Sequence, residues 1–505
     1  MALLHHSAPA LASDAPRADA ADRRLFLIVC VLASVVHWIP HFPAPIDLAQ
    51  HAGQMRLLSD WLLGRPVPRE LLTLNFFTPY LPAYVLGAAL TPVFGAVVAV
   101  KLLWTAGTAA TLYMAVRLRR VLGGPHHTWD WLLLAGLFGT TFQWGFLTFL
   151  CAVPLGLFAI EQWIAIGQSP TVRRELGFVV TVVLLFFTHA LVTAWTLTIC
   201  GLLLLVDWYS DRWTVVTFVR RGLPLAAPVP VALWWFAGTR GYAPATMPNS
   251  WDWSTRYPAF FAQWLGIADH SLALLIGGTL LAIPFVTGAR LRRDARSLMP
   301  LLVTLAVLLA GPNWMSGNAL TYNRFFTLLS PALLCAMTAR DHTARPSLLA
   351  KRTLPLLASG IVLACGIRMV RFAQEQSDFV RIVRDMAPGR RVLALLHDRS
   401  STALWHSSGY LHAPVWYQAV SGGFVEPNFA GRVAMIVRFK VPADEAVPFG
   451  FEFTPDFTTV KHLDRFAYII QRPTVGDAPG AVPPAFTLKA REGRWYLYGR
   501  TQPGQ

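Results

Sequence analysis

Asp47 and His51 stand four residues apart in the stretch Pro43-Ala-Pro-Ile-Asp47-Leu-Ala-Gln-His51-Ala-Gly-Gln-Met-Arg56. On a helix this spacing puts both on one face, where a carboxylate beside an imidazole can deprotonate a hydroxyl or hold a divalent cation. The prolines just upstream suit a helix start, so Asp47 as a plain N-cap, with His51 a polar group at the interface, is the alternative. Arg324 interrupts an apolar stretch near a predicted helix start. At membrane depth an arginine grips a phosphate bidentately, or it snorkels to the headgroups or pairs structurally. Arg56 and Arg69 are alternatives for the phosphate role. His189 has no charged residue within a dozen positions. It must face the bundle interior or a wet cavity, as an interhelical hydrogen-bonding group or as a substrate contact.

Between residues 240 and 269, Trp251, Trp253, Tyr257, Phe260, Phe261 and Trp264 surround Asp252, Arg256 and Asp269. Aromatics at this density form an interfacial belt, or a surface that covers a lipid-linked ligand and stacks on sugar rings, with Asp252 as a spare carboxylate. The cluster His397, Asp398, Arg399, Ser400 and Ser401 follows a predicted strand and reads as a turn. No Gly-rich phosphate loop, zinc spacing or nucleophile elbow occurs. Cys30, Cys151, Cys200, Cys335 and Cys365 all lie inside apolar runs and read as small hydrophobes.

The elements that must position these groups are membrane spans. Of the 505 residues 54% are hydrophobic and only 14% charged, too few charges for a soluble protein of this length. Apolar runs are expected to span at about 25–41, 76–95, 97–116, 131–146, 147–167, 176–206, 222–239, 271–289, 298–311, 318–339 and 353–371. That makes about eleven, with 176–206 read as one tilted helix or two. Residues 1–372 hold 28 Lys and Arg against 15 Asp and Glu, so most of the net +16 belongs to the membrane part. Basic clusters at helix ends are the partners of anionic headgroups, which argues against a nucleic-acid partner.

With 1–24 as a cytoplasmic segment ahead of an uncleaved first span, alternation sends four features to the opposite face. They are loop 40–75, loop 240–269, the 312–317 turn and the tail from 373 to 505. The basic groups 117–120 and 173–174 run against that orientation, which a miscounted hairpin would explain. In the tail a helix is predicted at 377–386 and strands at 391–396, 432–441, 466–471 and 494–498. The fold class read here is mainly α, a polytopic transmembrane helical bundle over 25–372 with a small C-terminal α/β soluble domain.

An acidic residue in the first external loop followed by helix resembles the C-class (GT-C) membrane glycosyltransferases. Gly145-Phe-Leu-Thr-Phe149 leading to Pro154-Leu-Gly, Thr188-His189-Ala-Leu, Gly311-Pro312 through Gly317 to Asn323-Arg324-Phe, and Gly493-Arg-Trp-Tyr-Leu-Tyr498 resemble uncharacterised bacterial members. The resemblance implies transfer of a sugar from a polyprenyl-phosphate donor to a glycan or lipid acceptor on the external face of a bacterial inner membrane. It implies that Asp47 is the acidic catalytic residue, with His51 beside it, and that Arg324, Arg56, His189, Asp252, Trp251 and Trp253 serve the substrates. Family members pair adjacent acidic residues, whereas Asp47 is followed by Leu48, so a divalent cation as cofactor is left open. Two other classes share the composition: a transporter or flippase of a lipid or polysaccharide precursor, and a non-catalytic scaffold of envelope assembly. The two similar halves of a repeat-type transporter are absent from the sequence.

Overall fold

The computed structural model describes residues 20–122, 128–239, 242, 248–315, 318–339, 347–404, 408–441 and 444–501. Most of the 1–24 segment, part of loop 240–269, the end of the 312–317 turn and most of the basic cluster at 340–352 lie outside the described residues.

Apolar runs become helices because only a helix satisfies its own backbone in hydrocarbon. In chain order they are α1 (Ala20–Val35), α2 (Leu48–Leu62), α3 (Leu81–Phe94), α4 (Ala96–Val121), α5 (Leu132–Ala135), α6 (Thr140–Trp144), α7 (Leu147–Gln168), α8 (Val172–Thr188) and α9 (Ala190–Asp211). There follow α10 (Val215–Gly222), α11 (Pro228–Thr239), α12 (Phe260–Leu265), α13 (His270–Val286), α14 (Ala295–Ala310), α15 (Phe326–Ala336) and α16 (Leu348–Glu375). Among the described residues α4, α7, α9 and α16 are long and apolar enough to cross a membrane, and α10 with α11 adds a fifth span bent by 49°. The apolar helices α3, α13 and α14 are shorter. Helix α1 buries Phe26, Val29 and Ala33 while exposing Leu27, Ile28 and Val31, an outer face suited to lipid rather than water.

Among the described residues length and composition single out four spans, or five with the bent pair, and leave the expected count of about eleven unconfirmed; one of the expected runs resolves between its two readings and two differ in kind. The 176–206 run is two helices, α8 and α9, broken at His189, whose extended backbone (φ −167°) ends one and caps the other. The 131–146 run is α5, a 3-10 turn at Gly136–Phe138 and α6, because Gly136, Gly139 and Gly145 interrupt it. The 318–339 run begins with a 3-10 turn, Tyr322–Phe325, and ends in a strand.

Three short strands lie within the bundle part: β1 (Leu72–Leu74), β2 (Ala289–Leu291) and β3 (Met337–Ala339). The tail adds α17 (Ser377–Arg384) and α18 (Val415–Ser421), with β4 (Arg391–Leu396), β5 (Phe424–Glu426), β6 (Val437–Phe439), β7 (Tyr468–Arg472), β8 (Phe486–Glu492) and β9 (Trp495–Arg500). Its sheet runs β5-β4-β7-β9-β8, parallel across the first three strands and antiparallel across the last three. Strand alternation gives this sheet two faces. Val392, Ala394 and Leu396 join the core shared with the bundle, while Leu393, Leu395, Ile469 and Phe486 form a second, smaller core. The strand predicted at 432–441 shrinks to β6, which pairs antiparallel with β1 of the first loop instead of joining the tail sheet.

The four features sent to one face do meet. Tail and first loop share the β1–β6 ladder. Ser250 bridges Trp314, joining the aromatic loop to the turn. The Tyr242 hydroxyl donates to Ala430 O at 3.4 Å, and Trp314 packs edge-on against Phe449.

Candidate active site

Helix α2 is the platform. Asp47, Gln50, His51 and Gln54 recur at i, i+3, i+4 and i+7 and therefore share a face. That face is covered by the tail. Gln50 Oε1 accepts from Phe429 N at 3.0 Å and Gln54 Oε1 accepts from Val437 N at 3.1 Å. At Gly53 a Cβ would stand 2.7 Å from Val415 of α18, so glycine is what lets α18 approach.

Asp47 occupies the N-cap position of α2, but its side chain makes no capping hydrogen bond. The carboxylate instead meets His412 of the tail, whose Nε2 lies 3.3 Å from Asp47 Oδ1. Gln50 Nε2, an amide donor, lies 3.2 Å from His412 Nδ1. With Nδ1 accepting, Nε2 carries the ring proton and donates it to Asp47. The Asp47 side chain keeps 12% of its surface exposed.

The Asp47 loop is clamped by backbone. Ile46 N and Asp47 N donate to Gln143 O (3.1 Å) and Trp144 O (2.7 Å). Gly145 closes that turn at φ +77°, and a Cβ there would lie 3.1 Å from Leu48 N and 3.2 Å from Asp47 N. Arg324 stacks on Phe146, 4.0 Å from the ring centroid, and Thr141 Oγ1 donates to Arg324 O at 3.0 Å. One short segment, 141–146, thus holds the carboxylate on one side and the guanidinium on the other.

Arg324 donates to Ala319 O at 3.1 Å, lies within hydrogen-bonding reach of the Tyr80 hydroxyl, and keeps a buried Nε–H without a partner. His189 is buried between Tyr80 and Phe149, with ring centroids 5.2 and 5.3 Å away. Its Nδ1 accepts from Leu191 N, which leaves Nε2 as a second buried donor without a partner. His51 Nδ1 meets the Tyr84 hydroxyl at 2.7 Å. Burial pushes the His51 imidazole down to about 4; Asp47 opposes this, and Arg324 and His412 add to it. It is therefore a neutral hydrogen-bonding group at pH 7 rather than a strong base. Asp47, His51, Tyr80, Tyr84, His189, Arg324 and His412 form one electrostatically coupled group.

The remaining candidates lie elsewhere. Arg56 pairs with Asp60 at 2.6 Å and donates to Val420 O at 3.0 Å, fastening α2 to α18. Arg69 stacks on Trp61. Asp252 closes an exposed turn, where the Thr255 hydroxyl and amide, with Ser254, hold its carboxyl below the usual range. Trp251 and Trp253 are about half exposed; Trp251 donates to Ala310 O, and Trp253 stacks on the buried Arg256. Asp398 is locked between Arg472, Arg494 and Ser400 as a turn. Among the described residues no three His, Cys, Asp or Glu side chains gather as a metal-ligating set, and His412 occupies the Asp47 carboxylate. The residues present do not fit a divalent cation. Sequence reasoning missed His412, Gln50, Tyr80 and Tyr84; the i+3 position of Gln50 beside Asp47 was the one local signal, and His412 had none.

No family model and no curated protein matches the sequence. Solved structures do match. ArnT from Cupriavidus metallidurans bound to undecaprenyl phosphate superimposes with a TM-score of 0.52 at 14% identity, over 94% of this chain and 97% of that one. The apo state of the same protein gives 0.48 at 13% identity, over 95% and 97%. Carried by nearly the whole length of both chains, the likeness to the first of these shows that this protein has the fold of that structure, the C-class (GT-C) fold.

Proposed function

We propose that the chain is a membrane glycosyltransferase that takes a sugar from a polyprenyl-phosphate carrier and passes it to a hydroxyl on the external side of the membrane. The observation that carries this reading is the Asp47 carboxylate: it declines to cap its own helix, is oriented by His412, and sits in one group with the buried Arg324. The fold neighbour's bound undecaprenyl phosphate supports the carrier class.

In this mechanism Asp47 accepts the proton of the acceptor hydroxyl as its oxygen bonds to the anomeric carbon. The bond from that carbon to the carrier phosphate breaks, and the phosphate leaves with the electron pair. Arg324 and His189 supply the two unpartnered N–H donors toward which a phosphate oxygen would be drawn. His412 holds Asp47 in position through its Nε2–H, and Gln50 fixes the ring's tautomer. His51, neutral and tied to Tyr84, shapes the wall.

The test is transfer from radiolabelled polyprenyl-phosphate sugars to total envelope acceptors, in membranes holding equal amounts of the native chain or Asp47→Asn. Label incorporated by the native chain and lost by roughly a hundredfold or more in Asp47→Asn is the expected result. Equal incorporation by both would remove Asp47 from the mechanism.

A further inference from the structure

A cavity of about 170 Å³ opens beside the Asp47–His412 contact, on the tail side. Gln50, His412, Phe429, Glu445, Phe449 and Lys461 are among the residues that line it. It is smaller than the roughly 300 Å³ at which pockets begin to take drug-sized ligands, so it suits one small headgroup. The lining is wrong for a lipid tail, being rich in polar groups. With Arg432 already paired with Glu452 at 3.2 Å, a bare phosphate would meet one cation, Lys461, beside two carboxyl groups. A carboxyl, an amide and an ammonium together with two phenyl rings match a ring with hydroxyl edges and C–H faces.

Glu445 marks the ligand side. Its carboxyl has no hydrogen-bond or ion-pair partner among the described residues. It packs over Gly431, where a Cβ would stand 2.5 Å from Glu445 Oε2. Burial, with the charge on Glu426 adding to it, pushes Glu445 up to about 8 against the pull of Arg432. At neutral pH it is a protonated carboxyl, able to donate one hydrogen bond and accept others, as a pair of sugar hydroxyls requires.

We propose that this cavity binds the sugar ring of the acceptor, held by Glu445 and stacked on Phe449, so that one of its hydroxyls reaches past His412 to Asp47. The word acceptor rests on the transferase reading above; the binding of a sugar ring does not.

The experiment uses the full chain in lipid nanodiscs and the methyl glycosides of glucose and N-acetylglucosamine as probes. Saturation-transfer NMR is expected to show both rings bound. Affinity falls roughly tenfold or more in Glu445→Ala and Gly431→Val, but is kept in Glu445→Gln. A diazirine-bearing glycoside photolysed with the unmodified protein, which needs no variant to fold, labels residues 429 and 445–450. Absence of glycoside binding, labelling elsewhere, unchanged affinity in a folded Glu445→Ala, or displacement of the glycosides by ethanolamine or inorganic phosphate would each overturn the proposal. If glycosides label the cavity while Asp47→Asn transfers sugar at the native rate, the cavity stands and the mechanism falls. If Asp47→Asn abolishes transfer while the label lands elsewhere, only the cavity falls.

Discussion

A carboxylate at a helix N-cap ordinarily spends its lone pairs on the first backbone N–H groups. Asp47 does not, and His412 receives it. If His412 orients the base, His412→Ala lowers kcat roughly tenfold to a hundredfold with little change in donor KM, and His412→Gln, which keeps an N–H donor, recovers part of that. Steady-state kinetics on both variants checks the split; a fall in donor affinity without a kcat effect would contradict it. Glu445 carries a pH prediction. Its folded pKa of about 8 lies above the ordinary 4.5, so across that interval the folded state keeps a proton that the unfolded state has lost. Stability therefore falls as pH rises from about 4.5 toward 8, by on the order of a few kcal/mol. Melting temperatures of the native chain and Glu445→Gln across that range should converge at low pH and separate at high pH, the variant being the more stable. At this scale the sequence showed the Asp47–His51 spacing and the intrusion of Arg324 into apolar chain. It could not show His412, because the contact joins positions hundreds of residues apart with no motif between them.

The elements that hold these side chains are short, irregular and glycine-dependent. Gly145 sits at φ +77° with the Asp47 and Leu48 backbone amides within 3.2 Å of the place its Cβ would take. Gly145→Ala adds about 1–2 kcal/mol of left-handed backbone strain as well as that crowding. The expected result is a melting temperature a few degrees lower and a kcat reduced more than donor KM; an unchanged kcat would show that the clamp does not set the Asp47 position. Hydropathy located the long apolar helices α4, α7, α9 and α16, because hydrocarbon leaves the backbone no other solution. It could not locate the breaks. His189 ends α8 by turning its own backbone extended and its Nδ1 toward Leu191 N, a choice made by local hydrogen bonding rather than by apolarity. Period-two patterning found β4, β7 and β9, but gave β6 too many residues and could not name its partner, β1. Pairing partners depend on tertiary placement, which a strand's own residues do not encode.

Across the whole molecule, the tail is both a domain and a wall of the bundle. One face of its sheet closes on a core of its own, while the other, with α18, β5 and β6, completes the core around α2. Residues 376–501 expressed alone should therefore be ordered unevenly. Hydrogen exchange should protect amides of β7, β8 and β9 and leave those of α18 and β6 exchanging freely, because α18 packs on α2 and β6 pairs with β1, both outside the fragment. Uniform protection would show that the tail folds independently of the bundle. The composition made the apolar helices and the strand-bearing tail legible; the depth of their interlock was not, since it rests on Gln50, Gln54 and Gly53, polar or small residues that look like an ordinary loop helix.

The β1–β6 ladder and the His412–Asp47 contact also impose an order in time. A ribosome delivers Asp47 long before His412, so the apolar helices are made while Asp47 still lacks the imidazole that meets it. On the transferase reading, chains cut short between these two positions are expected to be inactive, because nothing yet orients the carboxylate.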